Sequence, residues 1–343
     1  MKSFDIPIAI FIFRRTDTVL RILERIETIQ PGKIYLISDG PRNADERLEV
    51  EACRRTVESR INWGCEVVKN YADTNRGVYD RIGLGAKWVL SLEPYAIFLE
   101  DDNLPEVTFF EYCRQLLEKY RDDDRIFWIC GTNYLEEYDP MDNASYVFTR
   151  HLLPCGWASW SHKFNRFYEG DMELFRDKDV IMKISHAYED KRLFKQQLHS
   201  LRHDMEQLRS TGRPTSWDFQ MAFSIRAHGL LGISPSRNQI ENIGADQYST
   251  HGGSSIENVM TARFCGIKSR PLEFPLVHPK IALPDKEYEK RVGRIILYPL
   301  SLRTKVKIAG VLRSLLGPKR FRSLTKTLRG AFRNERNYKS GTS

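Results

Sequence analysis

YAIFLEDDNLP, residues 95–105, decides the fold. Tyr95–Leu99 is an apolar run with no polar alternation, and Glu100, Asp101 and Asp102 follow it without a break. A short unbroken apolar run fits a strand covered on both faces, as in a parallel sheet. An acidic triplet on its own is most simply a solvated turn. At the end of a buried strand, however, three carboxylates repel one another and lose hydration, so they call for a cation. A hard divalent ion with diphosphate oxygens would supply that charge. Asp122-Asp123-Asp124, between a helical pattern and an apolar run, reads as a solvated turn.

On both sides of this stretch, short apolar runs alternate with helical patterns. Strands are predicted at Ile6–Phe13, Lys33–Ser38, Cys65–Lys69, Tyr95–Leu99 and Ile126–Cys130. Helices are predicted at Thr18–Ile29, Glu46–Ser59, Arg81–Ser91 and Val107–Tyr120. This alternation predicts an α/β fold with a doubly wound, mostly parallel sheet, whose ligands bind beyond the carboxyl ends of the strands. From about Asn133 the pattern becomes irregular and rich in aromatic residues. A long charged helix is expected over Val180–Thr211, a helix over Trp217–Ala227, and loops to about Pro284. The expected division is 1–132 for ligand binding, 133–285 for the second half of the same domain, and 286–343 for a basic helical tail.

The charge distribution supports that division. The 343 residues carry a net +8, but from Lys286 onward there are 16 Lys/Arg against three Glu, a net of +13. Residues 1–285 are therefore at −5. An acidic body argues against nucleic acid as its substrate, and the basic tail argues for an anionic partner. Six cysteines without a C-x-x-C pair read as free thiols in a reducing cytoplasm. Ile6–Phe13 is too short and too interrupted for a signal peptide, and no run approaches the roughly 18 apolar residues of a membrane span.

Four further motifs are candidates for chemistry. Asn75-Arg76-Gly77 precedes a helix and could present backbone N–H groups and Arg76 to a phosphate, or be a plain loop. In Gly156-Trp157-Ala158-Ser159-Trp160, a glycine beside a tryptophan lets the ring lie against a sugar's apolar face, although a structural aromatic cluster fits the spacing equally well. Trp217-Asp218 opens a helix, so Asp218 is either a helix cap or a general base for an acceptor hydroxyl. His251 lies in the Gly-rich segment Ser249–Gly253, where a solvated histidine is the simpler reading.

The segments FRRTDTVLRIL (13–23), LISDGP (36–41), NRGVYDRIGLGAKWVL (75–90), FLEDDNLPEVTFFEYC (98–113), ICGTNY (129–134), CGWASWSHKF (155–164), SWDFQMAFSIRAHGLLGISPSRNQIENIG (216–244) and STHGG (249–253) resemble bacterial GT-A glycosyltransferases of the family-2-like and hemolytic-protein-like kind. A more distant resemblance is to N-acetylglucosaminyltransferase I. The resemblance covers about residues 6–255. It implies a GT-A fold and transfer of a sugar from a nucleotide-diphosphate sugar, by resemblance a UDP-sugar, to a glycan or lipid-linked hydroxyl. It implies a Mn²⁺ or Mg²⁺ cofactor, and the single base implies direct displacement with inversion. Arg15 and Asp39 match nucleotide contacts, Asp101 a ribose or metal-side contact, and Asp102 the metal ligand. Asp218 matches the catalytic base and His251 a residue near the metal and diphosphate. Arg76, Gly156 and Trp157 complete the expected donor site. The chain departs from the family in having Arg14-Arg15-Thr16 where Asn-Arg-Pro is usual, and Arg76 where leucine is usual.

Two readings from other classes use the same residues. A sugar-phosphate nucleotidyltransferase also combines carboxylates, a metal and a doubly wound sheet, but would place a Gly-rich basic loop where this chain has Phe13-Arg14-Arg15-Thr16. A non-catalytic sugar-binding protein would need no pairing of Asp218 with the acidic triplet. In the tail, Phe321, Leu324, Leu328, Ala331 and Phe332 recur at helical spacing opposite Arg322, Lys326, Arg329 and Arg333. That is the pattern of a helix lying on an anionic membrane surface, with the enzyme peripheral on the cytoplasmic face.

Overall fold

A computed structural model describes residues 4–245 and 262–304, with single positions 308, 311, 315 and 317 beyond. The chain begins with β1 (Ile8–Ile12), α1 (Thr16–Glu27), β2 (Lys33–Ser38), α2 (Ala44–Arg60) and β3 (Glu66–Tyr71). A π-helical turn, Tyr79–Gly83, leads into α3 (Leu84–Leu92), followed by β4 (Tyr95–Glu100), β5 (Asn103–Pro105), α4 (Thr108–Lys119) and β6 (Ile126–Cys130). The second half supplies β7 (Tyr146–Thr149), β8 (Trp157–Trp160), α5 (Ser161–Phe167), α6 (Lys178–His186), α7 (Lys191–Thr211), α8 (Asp218–Ala227), β9 (Leu231–Pro235), β10 (Ile240–Asn242) and α9 (Lys286–Ile296).

Eight strands form one sheet in the order β3-β2-β1-β4-β8-β6-β9-β7. β3, β2, β1 and β4 are mutually parallel, and β6 is parallel to β9. β8 runs antiparallel to both β4 and β6, and β7 antiparallel to β9. The expected α/β, mostly parallel sheet is therefore present. Alternation along β1 shows how both faces are filled. Ile8, Ile10 and Ile12 join Val19, Ile22, Leu23 and Ile26 of α1 and Phe109 and Phe110 of α4. Ala9 and Phe11 join Ala86, Val89 and Leu90 of α3 on the opposite face. Fully burying one such aliphatic side chain contributes about 1.5–3 kcal/mol. All six cysteines are free, with Cys53, Cys113 and Cys130 buried.

Several expectations change. The loops expected after Ala227 are interrupted by β9 and β10, and the irregular stretch from about Asn133 contains β7 and β8. The helix expected over 180–211 is two helices, because Asp177 caps the start of α6 and Asp190 caps α7 by accepting from Arg192 N. Tyr288 and Val292 of α9 are fully buried, and the first compact unit ends at Ile296. A second unit begins at Leu297. The amphipathic stretch 321–333 lies outside the described residues. No helix among the described residues is long and apolar enough to cross a membrane.

Alongside β7 the chain closes on itself. Ser145 N donates to Val277 O at 2.8 Å and Asp285 N to Phe148 O at 2.9 Å. Glu289 of α9 accepts from Arg150 N and from Arg150 Nη2, both at 2.6 Å. Nε2 of buried His151 lies 2.9 Å from the Glu289 carbonyl, so it must be the protonated nitrogen. Nδ1 is buried with no hydrogen-bond partner among the described residues. Burial, then the Arg226 charge, pushes the His151 pKa down to about 4. An unfolded histidine titrates near 6.5. The unfolded chain therefore takes up this proton first, so the contribution to stability is complete above about pH 6.5 and is lost as the pH falls toward 4. Urea unfolding at pH 7 and pH 5 should show a smaller pH-dependent loss in His151→Gln than in the wild type. An equal loss would show that His151 does not carry this dependence.

Candidate active site

Because β2, β1 and β4 are parallel neighbours, their carboxyl ends lie side by side. That edge brings together Asp39 after β2, Arg15 after β1, and Glu100, Asp101 and Asp102 at the end of β4. Arg15 Nη1 donates to Asp101 Oδ1 at 3.1 Å and to Asp102 Oδ2 at 2.9 Å. The resemblance gives Arg15 to the nucleotide, whereas here two adjoining carboxylates attract its guanidinium. Arg15 by itself does not balance these carboxylates. Burial, then the Asp102 charge, pushes the Asp101 carboxyl well above the usual carboxylate range. Burial does the same to Glu100, reinforced by Asp102, Asp101 and Asp218.

The triplet is held by residues that the sequence pattern did not single out. Asn103, buried, donates from Nδ2 to Asp102 Oδ1 at 2.7 Å, and its Oδ1 accepts from Gly156 N at 2.8 Å. β5 and β10 form an antiparallel ribbon that lays Ile243 and Gly244 over Asp102. Ile243 N donates to the Asp102 carbonyl at 2.9 Å. A Cβ on Gly244 would stand 2.2 Å from Asp102 Oδ2 and 2.9 Å from its Cγ, so only glycine leaves room for the carboxylate. No local motif signals the long-range contacts: Gly156 and Asn103 are 53 positions apart, and Ile243 and Gly244 lie far along the chain from Asp102.

Asp218, from the other half of the sheet, lies within electrostatic reach of Glu100. It does not cap its helix. Ser216 Oγ accepts from Phe219 N at 3.0 Å and its hydroxyl donates to Asp218 Oδ1. The Asp218 carboxylate is thus on the first turn of α8 with the capping duty taken by Ser216. Tyr134 and Tyr168 also feel the Asp218 charge, and Tyr168 Oη donates to Trp217 O at 3.3 Å.

Other expected site residues turn out differently. Asp39 is a loop anchor: Oδ1 accepts from Gly40 N and Arg76 N, both at 2.8 Å, and Oδ2 from Gly77 N at 3.0 Å and Asn75 Nδ2 at 2.9 Å. The backbone N–H groups of Arg76 and Gly77 are thereby turned onto Asp39. Arg81, buried on the π-helical turn, lies within electrostatic reach of Asp39, Arg76 and Arg54, so three arginines gather behind this loop. Trp157 cannot present a face to a sugar. Its ring stacks on Phe98 at 4.0 Å and on Trp128 at 4.1 Å, from the strands on either side of β8. Gly156 is required by packing: its φ is +60°, and a Cβ there would meet Ile240 Cδ1 at 2.4 Å. His251 lies outside the described residues.

Asp101 and Asp102 are hard oxygen donors with more negative charge than Arg15 offsets, which suits a divalent cation. Magnesium is commonly held by one or two carboxylates together with substrate phosphates, without an all-protein cage. Among the described residues, no group of three or more His, Cys, Asp or Glu forms such a cage.

No family model matches the sequence, and no curated protein does. Solved structures that align with it do so distantly. A mannosyltransferase from Pyrobaculum calidifontis in complex with GDP-Man and Mn²⁺ is 11% identical over 66% of this chain and 70% of its own, with a TM-score of 0.37. Mouse xyloside xylosyltransferase 1 is 9% identical over 66% of this chain and 84% of its own, at 0.37. A UDP-glucose pyrophosphorylase bound to UDP-glucose is 9% identical over 70% and 94%, at 0.35.

The contact between Gly244 and Asp102 gives a direct test. Gly244→Ala should displace the Asp102 carboxylate while the protein keeps its fold, as judged by circular dichroism. Protection of the chain by Mn²⁺ against thermal unfolding should then fall by several degrees relative to wild type, since a bound ion stabilises only the state that holds it. Undiminished protection would separate Gly244 from the carboxylate site.

Proposed function

We propose that the protein is a glycosyltransferase that moves a sugar from a nucleotide-diphosphate sugar, a UDP-sugar by resemblance, onto a hydroxyl of a glycan or lipid-linked acceptor. One observation carries the reading. A carboxylate freed from helix capping, Asp218, sits within electrostatic reach of the acidic strand end that could hold a donor diphosphate. In this reading Asp218 accepts the proton of the acceptor hydroxyl as its oxygen attacks the anomeric carbon. The bond from that carbon to the diphosphate oxygen breaks, and the nucleoside diphosphate leaves. A single displacement inverts the anomeric configuration. Asp101 and Asp102 would hold Mn²⁺ or Mg²⁺, whose chemistry when bound is Lewis-acid neutralisation of the departing diphosphate. Arg15 and Arg76 supply positive charge beside it.

The test is release of free nucleoside diphosphate from a panel of nucleotide sugars with Mn²⁺ and mixed acceptors. Wild type should release it only with acceptor and metal present. Asp218→Asn should lose about 10²–10⁴-fold in turnover while donor binding is kept. Asp102→Asn should lose metal-dependent turnover and donor affinity together. If Asp218→Asn instead loses donor affinity in proportion to turnover, the residue is a binding group and not a base.

The basic segment beyond Ile296 fits the same reading, since a lipid-linked acceptor would be met at an anionic bilayer surface. We propose that it docks there by charge, each Lys or Arg near the surface adding on the order of 1 kcal/mol. Full-length protein should sediment with anionic liposomes at low salt and be released at high salt, and a chain shortened from Leu302 should stay in solution. Equal sedimentation of both would make the tail a protein interface.

A further inference from the structure

Asp204 lies near the middle of α7 and is 1% exposed. It makes no ion pair among the described residues. Its two oxygens instead collect four donors from the start of the next helix. Oδ1 accepts from Thr215 N at 2.9 Å and from the Thr215 hydroxyl. Oδ2 accepts from Ser216 N at 3.3 Å and from Gln220 Nε2 at 2.6 Å. A buried carboxylate without a counter-ion is costly unless its lone pairs are filled. Here they are filled by one short segment, the connection from Gly212, which ends α7 with φ +76°, into α8.

The residue so held is the one that touches Asp218. The backbone N–H of Ser216 is fixed by Asp204. Its hydroxyl donates to Asp218 and accepts from Phe219 N, so one serine transmits the position of α7 to the carboxylate. We infer that Asp204 is a positioning residue for the proposed base, and that α7 serves as the strut that sets where Asp218 stands. This rests on the reading of Asp218 as the base. An asparagine at 204 could keep an oxygen toward Thr215, but its amide nitrogen would then face Ser216 N and could not accept from it, so the contact that fixes Ser216 needs both carboxylate oxygens.

The experiment compares Asp204→Ala, Asp204→Asn, Asp218→Asn and the Asp204→Ala/Asp218→Asn double variant for kcat, donor KM and melting temperature. Asp204→Ala should lose about 10²-fold in kcat, the scale of a misplacement of about 1 Å, with donor KM unchanged. Asp204→Asn, which loses the acceptor for Ser216 N but keeps one for Thr215, should fall between Asp204→Ala and wild type in kcat, with donor KM unchanged. In the Asp218→Asn background, Asp204→Ala should cost nothing further, because the group it positions is already disabled. A folded Asp204→Ala enzyme with normal kcat, or one whose loss recurs in full in that background, overturns the inference. Should Asp204→Ala fail to fold, Ser216→Ala takes its place with the same two requirements. Asp218→Asn retaining full transfer defeats the base reading itself, a result seen in the single variant before any double variant is made.

Discussion

Among the described strands, the two halves of the sheet are joined through β8, which pairs with β4 and β6 while Trp157 stacks between Phe98 and Trp128. The parallel set β3-β2-β1-β4 and the set β6-β9-β7 do not pair with each other directly. Aromatic pairs at such distances add about 0.5–1.5 kcal/mol beyond their burial. The larger effect is geometric. The acidic strand end belongs to the first set, and Asp218 leads into β9 of the second. Their approach is fixed by how closely β8 draws β4 and β6 together. Asn103 extends that constraint from the core to the site, since it bonds both Asp102 and the backbone just before β8.

The first 130 residues were legible because their strands are buried on both faces and their helices carry apolar residues at helical spacing. Lys33–Ser38 and Ile126–Cys130 match the observed strands end to end. The later strands were not legible, for physical reasons. β8 is four residues long and buried at every position, so it shows neither length nor alternation. β9 contains Gly232 and Pro235, which ordinarily mark turns. Of the site, the carboxylates could be read from sequence because their charge is out of place after an apolar run. Asn103, Ser216, Asp204 and Gly244 could not be, because their roles come from contacts made only when the chain is folded. Trp157 misled for a related reason: an aromatic beside a glycine looks the same whether its faces are open or already covered.

Arg15 and the triplet together describe a site poised between two charge balances. Burial and mutual repulsion raise the pKa values of Glu100 and Asp101 even with the Arg15 guanidinium beside Asp101 and Asp102. Any ligand that brings net positive charge relieves this, and any ligand that brings only phosphate adds to it.

The sheet has two outer strands, and the chain treats them differently. β3 carries Glu66 and Lys69 on an exposed edge, and such charges discourage another strand from adding on. β7 has no such charges along Tyr146–Thr149. Its edge is covered instead by residues 277–285 through the bonds at Ser145 and Phe148. That segment is therefore a molecular cover against self-association. A chain ending before residue 277 would lose the buried core residues Tyr288 and Val292 and also leave the edge of β7 without its cover.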